Sequence, residues 1–297
     1  MALIINHNMN AMVATRNLDT AYDSLSKATN RLSSGLRINT AADDAAGLAI
    51  RELMRSDIST LNQGVRNAND AISMLQTADG ALQVTDEKLI RMKELAEQAA
   101  TGTYNSTQRL IIDSEYQAMA SEITRIASAT DFNGIYLLNG NLSSPVHNGN
   151  IMNPTGKLKI HFGVGNSSSS DYYYIQIGDA TASALGVGMG AAGVAGRSIS
   201  TQNLAQLALN QIQNAIVSKD KIRAALGALE NRLSNTITNL QIQSQNLQAA
   251  ESQISDVDVA TEMTEFVRSQ ILTQAATAML TQANSLPKMA LQLIQGG

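Results

Sequence analysis

The chain has 297 residues, no cysteine, no tryptophan and a formal net charge of −4. Without cysteine there is no disulfide framework and no thiol chemistry, and basic residues this scattered, with few aromatics among them, exclude a nucleic-acid surface. Aromatics make up 3 % of residues against 44 % hydrophobic overall, so Ala, Leu and Ile carry the apolar content, which suits close helix–helix packing better than a thick globular core.

From the start of the chain, Ile4, Ala11, Ala14, Leu18, Ala21, Leu25, Ala28 and Leu32 step by fours and threes, with His7 the interruption. That period predicts a helix with one apolar seam. Ser33-Ser34-Gly35 ends it, with Gly35 suited to a left-handed cap. Asn39 or Thr40 is placed to cap the next helix, and Asp43 and Asp44 fall in its first turn, where carboxylates complement the dipole. Neither His, Glu nor a third carboxylate adjoins the two aspartates, so a helix start outweighs an acid–base dyad or a metal site.

A second helix is expected from about Ala45 to Ala100, with Ile58, Leu61, Val65, Ala68, Ile72 and Leu75 as its seam. Leu82, Leu89 and Ala96 continue that seam, while Asp79, Asp86 and Lys93 take the alternate places, making this half narrower and wetter. Gly64 and Gly80 weaken it locally. Thr101 to Tyr104 is a turn, and Asn105 or Ser106 starts a third helix with Ile112, Tyr116, Met119, Ile123 and Ile126 as its face. So short a connection predicts antiparallel neighbours.

The period then changes. Asp131 to Gly140 holds two Asn-Gly turn signals around a short β-type run. Leu158, Ile160, Phe162 and Val164 alternate, as do Tyr173, Ile175 and Ile177, around a polar loop containing Ser167 to Ser170. These predict a small antiparallel sheet, with the serines as a solvated hairpin loop. Gly186 to Gly196 includes a GxGxxG spelling at Gly188–Gly193. A dinucleotide site needs a βαβ unit around it; a heptad helix follows instead, so the stretch reads as a flexible linker.

That helix, Leu204 to Val257, is the longest feature. Its seam includes Ala208, Ile212, Ala215, Lys219, Ile222, Leu226, Leu229, Leu233, Leu240, Gln243 and Ile254. At ~1.5 Å per residue it is roughly 75 Å long and cannot bury its seam alone. In the last helix, Leu272, Ala275, Met279 and Leu286 form one line, with Val267, Ile271 and Ala278 beside it, and Pro287 is expected to interrupt. Both ends are amphipathic helices without a local partner, so they must meet each other or copies of themselves. The assembly seam is accordingly Leu18, Leu25, Leu32, Val267, Ile271, Leu272, Met279 and Leu286.

The fold class is therefore mainly α: a long antiparallel coiled-coil-like helical bundle with a small antiparallel β-sheet region. No catalytic, cofactor-binding or metal residues emerge. His147 and His161 stand fourteen apart in the middle region without the Glu of a His-Glu-x-x-His zinc site, and no Ser-His-acid set is suggested. Neither a bilayer-spanning run nor the lysine-rich polar face of a membrane-lytic helix is present, so no membrane partner is expected. Met1 to Asn8 lacks the charge and apolar length of a secretory signal; export is expected by another route.

The stretch Arg31 to Ile50, RLSSGLRINTAADDAAGLAI, resembles the bacterial flagellins. So do Ile5-Asn6-His7-Asn8, Gln76 to Leu82, Asp131 to Gly134, Arg223 to Leu233, Ile271 to Ala275 and Ala283 to Pro287. The resemblance covers about 1–140 and 198–297. It implies a structural subunit that self-assembles through its terminal helices into the bacterial flagellar filament for motility, secreted through the flagellar export route without a cleaved signal peptide. Within the same superfamily the alternative is a hook–filament junction protein. It also implies an inner coiled-coil domain from residues 1–42 and 256–297, and a helical shell domain with a small β region from 43–255. The stretch left over in the middle is too short for an outer domain. Implied partners are further copies of the chain, the flagellar export chaperone, the cap and hook-junction proteins, and the host innate-immune flagellin receptor. Leu89 to Gln98 resembles the stretch that receptor binds, which makes Arg91, Leu95 and Glu115 the matching contacts, with Leu95 an apolar anchor beside Arg91. Surface serines such as Ser167 to Ser170 are glycan acceptors in some flagellins.

Overall fold

The computed structural model describes residues 7–147, 155–188 and 196–295. The chain divides into two compact units, Met1–Ile58 with Gln245–Gly297, and Ser59–Ser244.

The first unit holds α1 (Met9–Ser34), the start of α2 (Ala45–Ala100), the end of α5 (Gln202–Ser255) and α6 (Val259–Gln295). Asn8 opens α1, its side chain accepting from the Ala11 N–H, and Gly35 closes it at φ 73°, donating to the Arg31 carbonyl. Such a conformation favours glycine. The next start differs from expectation. Asp44, not Asn39 or Thr40, caps α2, accepting from the Gly47 N–H at 2.9 Å. Asp43 instead folds the preceding turn, accepting from the N–H and hydroxyl of Thr40, both at 3.0 Å. Those contacts, the Thr40 backbone N–H first, hold its carboxyl below the usual range.

α1 and α6 lie side by side and antiparallel. Asn8 Nδ2 donates to the Ala283 carbonyl at 2.8 Å, and Arg31 faces Glu262 at 3.7 Å. Beyond them, Leu36 and Asp256 form an isolated antiparallel bridge, with Arg37 N–H donating to Ser255 O and Val257 N–H to Gly35 O. The two chain ends, separate in sequence, thus partner each other. α6 continues helically through Pro287. Proline's φ is compatible with a helix, so its effect here is a missing N–H rather than a stop.

In the second unit, α2 and α5 run antiparallel, as the pairs Asn62–Ser244, Gln76–Glu230 and Lys93–Gln213 require. α3 (Ser106–Ala129) starts on a capping box between Asn105 and Gln108. It packs on α2 and α5 in a core of Leu89, Met92, Leu95, Tyr116, Ile123, Ile212 and neighbours. A second core joins Leu75, Leu82, Leu226 and Leu233 to Leu137, Leu138, Leu142, Ile175 and Ile177. Among the described residues, the middle region is thereby built into this unit.

The expected sheet is two separate hairpins. β1 (Asp131–Phe132) pairs with β2 (Ile135–Tyr136), turning at Asn133 and Gly134 with φ 51° and 79°. β3 (Leu158–His161) pairs with β4 (Tyr172–Ile175), Leu158 opposite Ile175 and His161 opposite Tyr172. The short helix α4 (Ala182–Leu185) follows, capped by Thr181. Residues 189–195, most of the expected linker, lie outside the described residues, and its flanks are anchored: Gly188 N–H donates to Gly196 O, which also accepts the buried Tyr116 hydroxyl at 2.6 Å. Burial pushes that phenol well above its ordinary pKa. The seam of α5 follows expectation except at one place, where Ser244 is buried and Gln243 exposed; Leu247, Ala250 and Ile254 beyond it are again half-buried.

Candidate functional site

Two surfaces hold the residues singled out by sequence. On the terminal helices, α1 turns the predicted seam inward from Ala11 on: Ala21 and Ala28 are buried, and Ala11, Ala14, Leu18, Leu25 and Leu32 half-buried, while Ile4 lies outside the described residues. α6 does not. Its buried and half-buried stripe is Phe266, Ser269, Thr273, Ala276, Leu280 and Ala283. The expected members stand out of the pair instead: Val267 at 44 % exposure, Ile271 at 59 %, Leu272 at 49 % and Met279 at 64 %. The side chain of Leu286 lies outside what is described.

The physical reason is helix separation. Small side chains at the contact let two helices approach closely, and the polar ones among them cause no desolvation problem when bonded. Thr273 Oγ1, buried, donates to the Ser269 carbonyl at 2.8 Å. Phe266 and Leu280 are half-buried beside them, and the other bulky residues are left on the flanks. Leu272 and Met279, with Val13 and Ala14 of α1, line a groove of about 750 Å³ along the pair. Val267 and Ile271 continue Met263 on a second flank. Asp258 caps α6, accepting from the N–H groups of Ala260 and Thr261, and its carboxyl is held low, mainly by the Thr261 N–H.

The second surface lies where α2 passes α3. Arg91 donates from Nε and Nη2 to Glu115 Oε1 at 3.0 and 2.8 Å, and from Nη1 to Glu94 Oε2 at 2.9 Å. The arginine is 49 % and Glu115 44 % exposed. These carboxylates, Glu115 first, raise the guanidinium pKa further. Leu95 is 1 % exposed and belongs to the core with Met92 and Tyr116. Arg91 and Leu95, expected to share one face, thus differ in exposure. Residues four apart are offset by about 40° around a helix, enough to put a long arginine at the rim and a leucine inside. The exposed apolar residue one turn from Glu115 is Ile111, at 66 %.

Among the described residues no group of His, Cys, Asp or Glu has the arrangement of a metal site, and no helix is long and apolar enough to cross a membrane.

The bacterial flagellin N-terminal helical region matches residues 5–143, and the bacterial flagellin C-terminal helical region matches residues 209–294. The chain is 41 % identical to the flagellar filament 33 kDa core protein of Treponema phagedenis, over 99 % of this chain and 100 % of that protein. It is likewise 41 % identical to a flagellin of Halalkalibacterium halodurans, over 99 % and 100 %. Among solved structures, the crystal structure of Bacillus cereus flagellin aligns at 29 % identity and a TM-score of 0.46, over 63 % of this chain and 94 % of that one. Two terminal helices paired across the whole length of the sequence, with matches at both ends, have one meaning: the chain belongs to the bacterial flagellins, structural subunits of the extracellular flagellar filament and not enzymes.

Proposed function

We propose that this filament subunit polymerises through the flanks that the α1–α6 pair leaves uncovered, with residues 1–42 and 256–297 as an inner layer and 43–255 as the shell around it. The observation that carries the reading is the exposure of Val267, Ile271, Leu272 and Met279 beside the buried Ser269, Thr273 and Ala283. Burying such surface between copies supplies roughly 25 cal/mol per Å² before the costs of association. Leu272→Asp tests it. Seeded with filament fragments, the variant should stay soluble while its circular dichroism matches wild type; normal growth of polymer would overturn the reading. A hook–filament junction protein, the alternative, would cap seeds without elongating them, so long polymer from pure protein separates the two. Export chaperone, cap and hook-junction proteins are further proposed partners, on family membership alone.

A second reading rests on the exposed Arg91–Glu115 pair. We infer that the released monomer presents it to the host innate-immune flagellin receptor. A planar guanidinium at a partly dry interface is a frequent hot spot. Binding of the receptor ectodomain to monomer, weakened by Arg91→Ala, is the test; equal binding would sink it.

A further inference from the structure

The β3–β4 hairpin carries a face apart from the flanks of the α1–α6 pair and from the Arg91 surface. Its register sets Leu158 against Ile175 and Ile160 against Tyr173 on the core side, leaving Lys159 opposite Tyr174 and His161 opposite Tyr172 on the other. There the rings form a chain. His161 stacks on Tyr172 at 6.0 Å, Tyr172 meets Tyr174 edge-on at 5.4 Å, and Tyr174 contacts His147 at 5.6 Å. Two ammonium groups lie over them: Lys159 Nζ at 3.7 Å from the Tyr172 centroid and Lys157 Nζ at 5.7 Å from that of Tyr174. Residues 132–170 contain no Asp or Glu, yet hold both lysines and two of the chain's three histidines. Asp171, which follows, is turned to the Ser167 N–H, and Asp70 of α2 lines a small cavity with Lys159 and His161. An acidic protein thus carries a local cationic, aromatic face.

We propose that this face binds acidic polysaccharide. Tyrosine rings offer flat surfaces for the C–H faces of pyranose rings, and the lysines held at their rims offer donors to sulfate or carboxylate groups. Nucleic acid fits less well: a phosphate backbone needs an extended basic track, and this patch has two lysines and no arginine. A filament repeats the patch in every subunit, so weak single contacts become strong by multivalency.

The test is co-sedimentation of fluorescent heparin, hyaluronan, neutral dextran and double-stranded DNA with polymerised protein. Heparin and hyaluronan should pellet with wild type and dextran should not. The double variant Lys157→Ala, Lys159→Ala should reduce bound heparin roughly tenfold, the effect of losing two ion contacts at a surface. Tyr172→Leu with Tyr174→Leu should reduce hyaluronan comparably. Both are compared as monomers on immobilised heparin too, so that a polymerisation defect does not mask the outcome. Failure of wild type to bind above dextran, unchanged binding by the lysine variant, or preference for DNA over heparin would each overturn the proposal.

Discussion

Lys219 Nζ sits 2.6 Å from Asp86 Oδ1 and 2.7 Å from Asp220 Oδ1, although the lysine side chain is only 2 % exposed. It occupies the α5 seam between Ala215 and Ile222, facing one of the polar places in the α2 seam. Burying an ammonium is tolerated only with its partners in place. Asp86→Ala, which removes one of two partners, should destabilise the monomer by ~1–3 kcal/mol. Lys219→Met, apolar and of similar length, should change stability by less than ~1 kcal/mol. Urea unfolding of both variants is the measurement. If Lys219→Met proves as damaging as Asp86→Ala, the pair stabilises outright rather than specifying register.

Arg223 and Asp79 form the next rung, with Nε and Nη2 on the two carboxylate oxygens at 2.7 and 3.0 Å. The Arg223 hydrogen bonds hold Asp79 below the usual carboxylate range. A carboxyl with a lowered folded pKa contributes stability above its unfolded value, near pH 4, and loses it as pH falls through the folded value. At 40 % exposure for Asp79, the contribution is under about 1 kcal/mol. Asp79→Asn should therefore lower stability at pH 7, and the difference from wild type should shrink below about pH 4. A gap that persists at pH 2 would assign it to packing.

Gly64 lies inside α2, where a Cβ would collide with the backbone carbonyl of Phe162. The same helix turn holds the hairpin through Asn67 Nδ2 and the His161 carbonyl at 2.9 Å. Gly64→Ala should cost several kcal/mol despite the ~1 kcal/mol that alanine gains in a helix, because a backbone cannot swing aside as a side chain does. Gly80 has nothing within 4 Å of its added Cβ. Gly80→Ala should raise stability by up to ~1 kcal/mol. Thermal unfolding of the two compares them directly; stabilisation by both would mean the hairpin does not rest on α2.

What the sequence allowed to be read, and what it did not, divides along physical lines. The span of α2 and the caps at Gly35 and Asn105 were legible, because they rest on local chemistry. So was the seam of α1, whose apolar period coincides with its buried face. The seam of α6 was not, since bulk is what a hydrophobic period registers, while this contact uses Ser269, Thr273 and Ala283. Gly64 read as a weakness because the hairpin that needs it lies 94 residues from Asn67. The lysine–tyrosine face depends on a β3–β4 register that alternation alone does not specify.

Leu95 and Arg91 finally separate recognition from folding. Leu95→Ala removes a side chain that is 1 % exposed in the α2–α3 core, so it should destabilise by ~2–5 kcal/mol. Any loss of receptor binding by that variant at a temperature where it is partly unfolded would report the fold. Arg91→Ala touches an exposed ion pair and should leave the unfolding midpoint nearly unchanged. Its expected effect is on binding, roughly tenfold weaker to the receptor ectodomain. Glu115→Gln keeps the shape but removes the charge that orients the guanidinium, so an intermediate loss is expected. Binding and unfolding measured on all three variants give the answer. If Leu95→Ala loses binding while still folded, and Arg91→Ala does not, the contact runs through the core leucine and the Arg91 surface is a packing face alone.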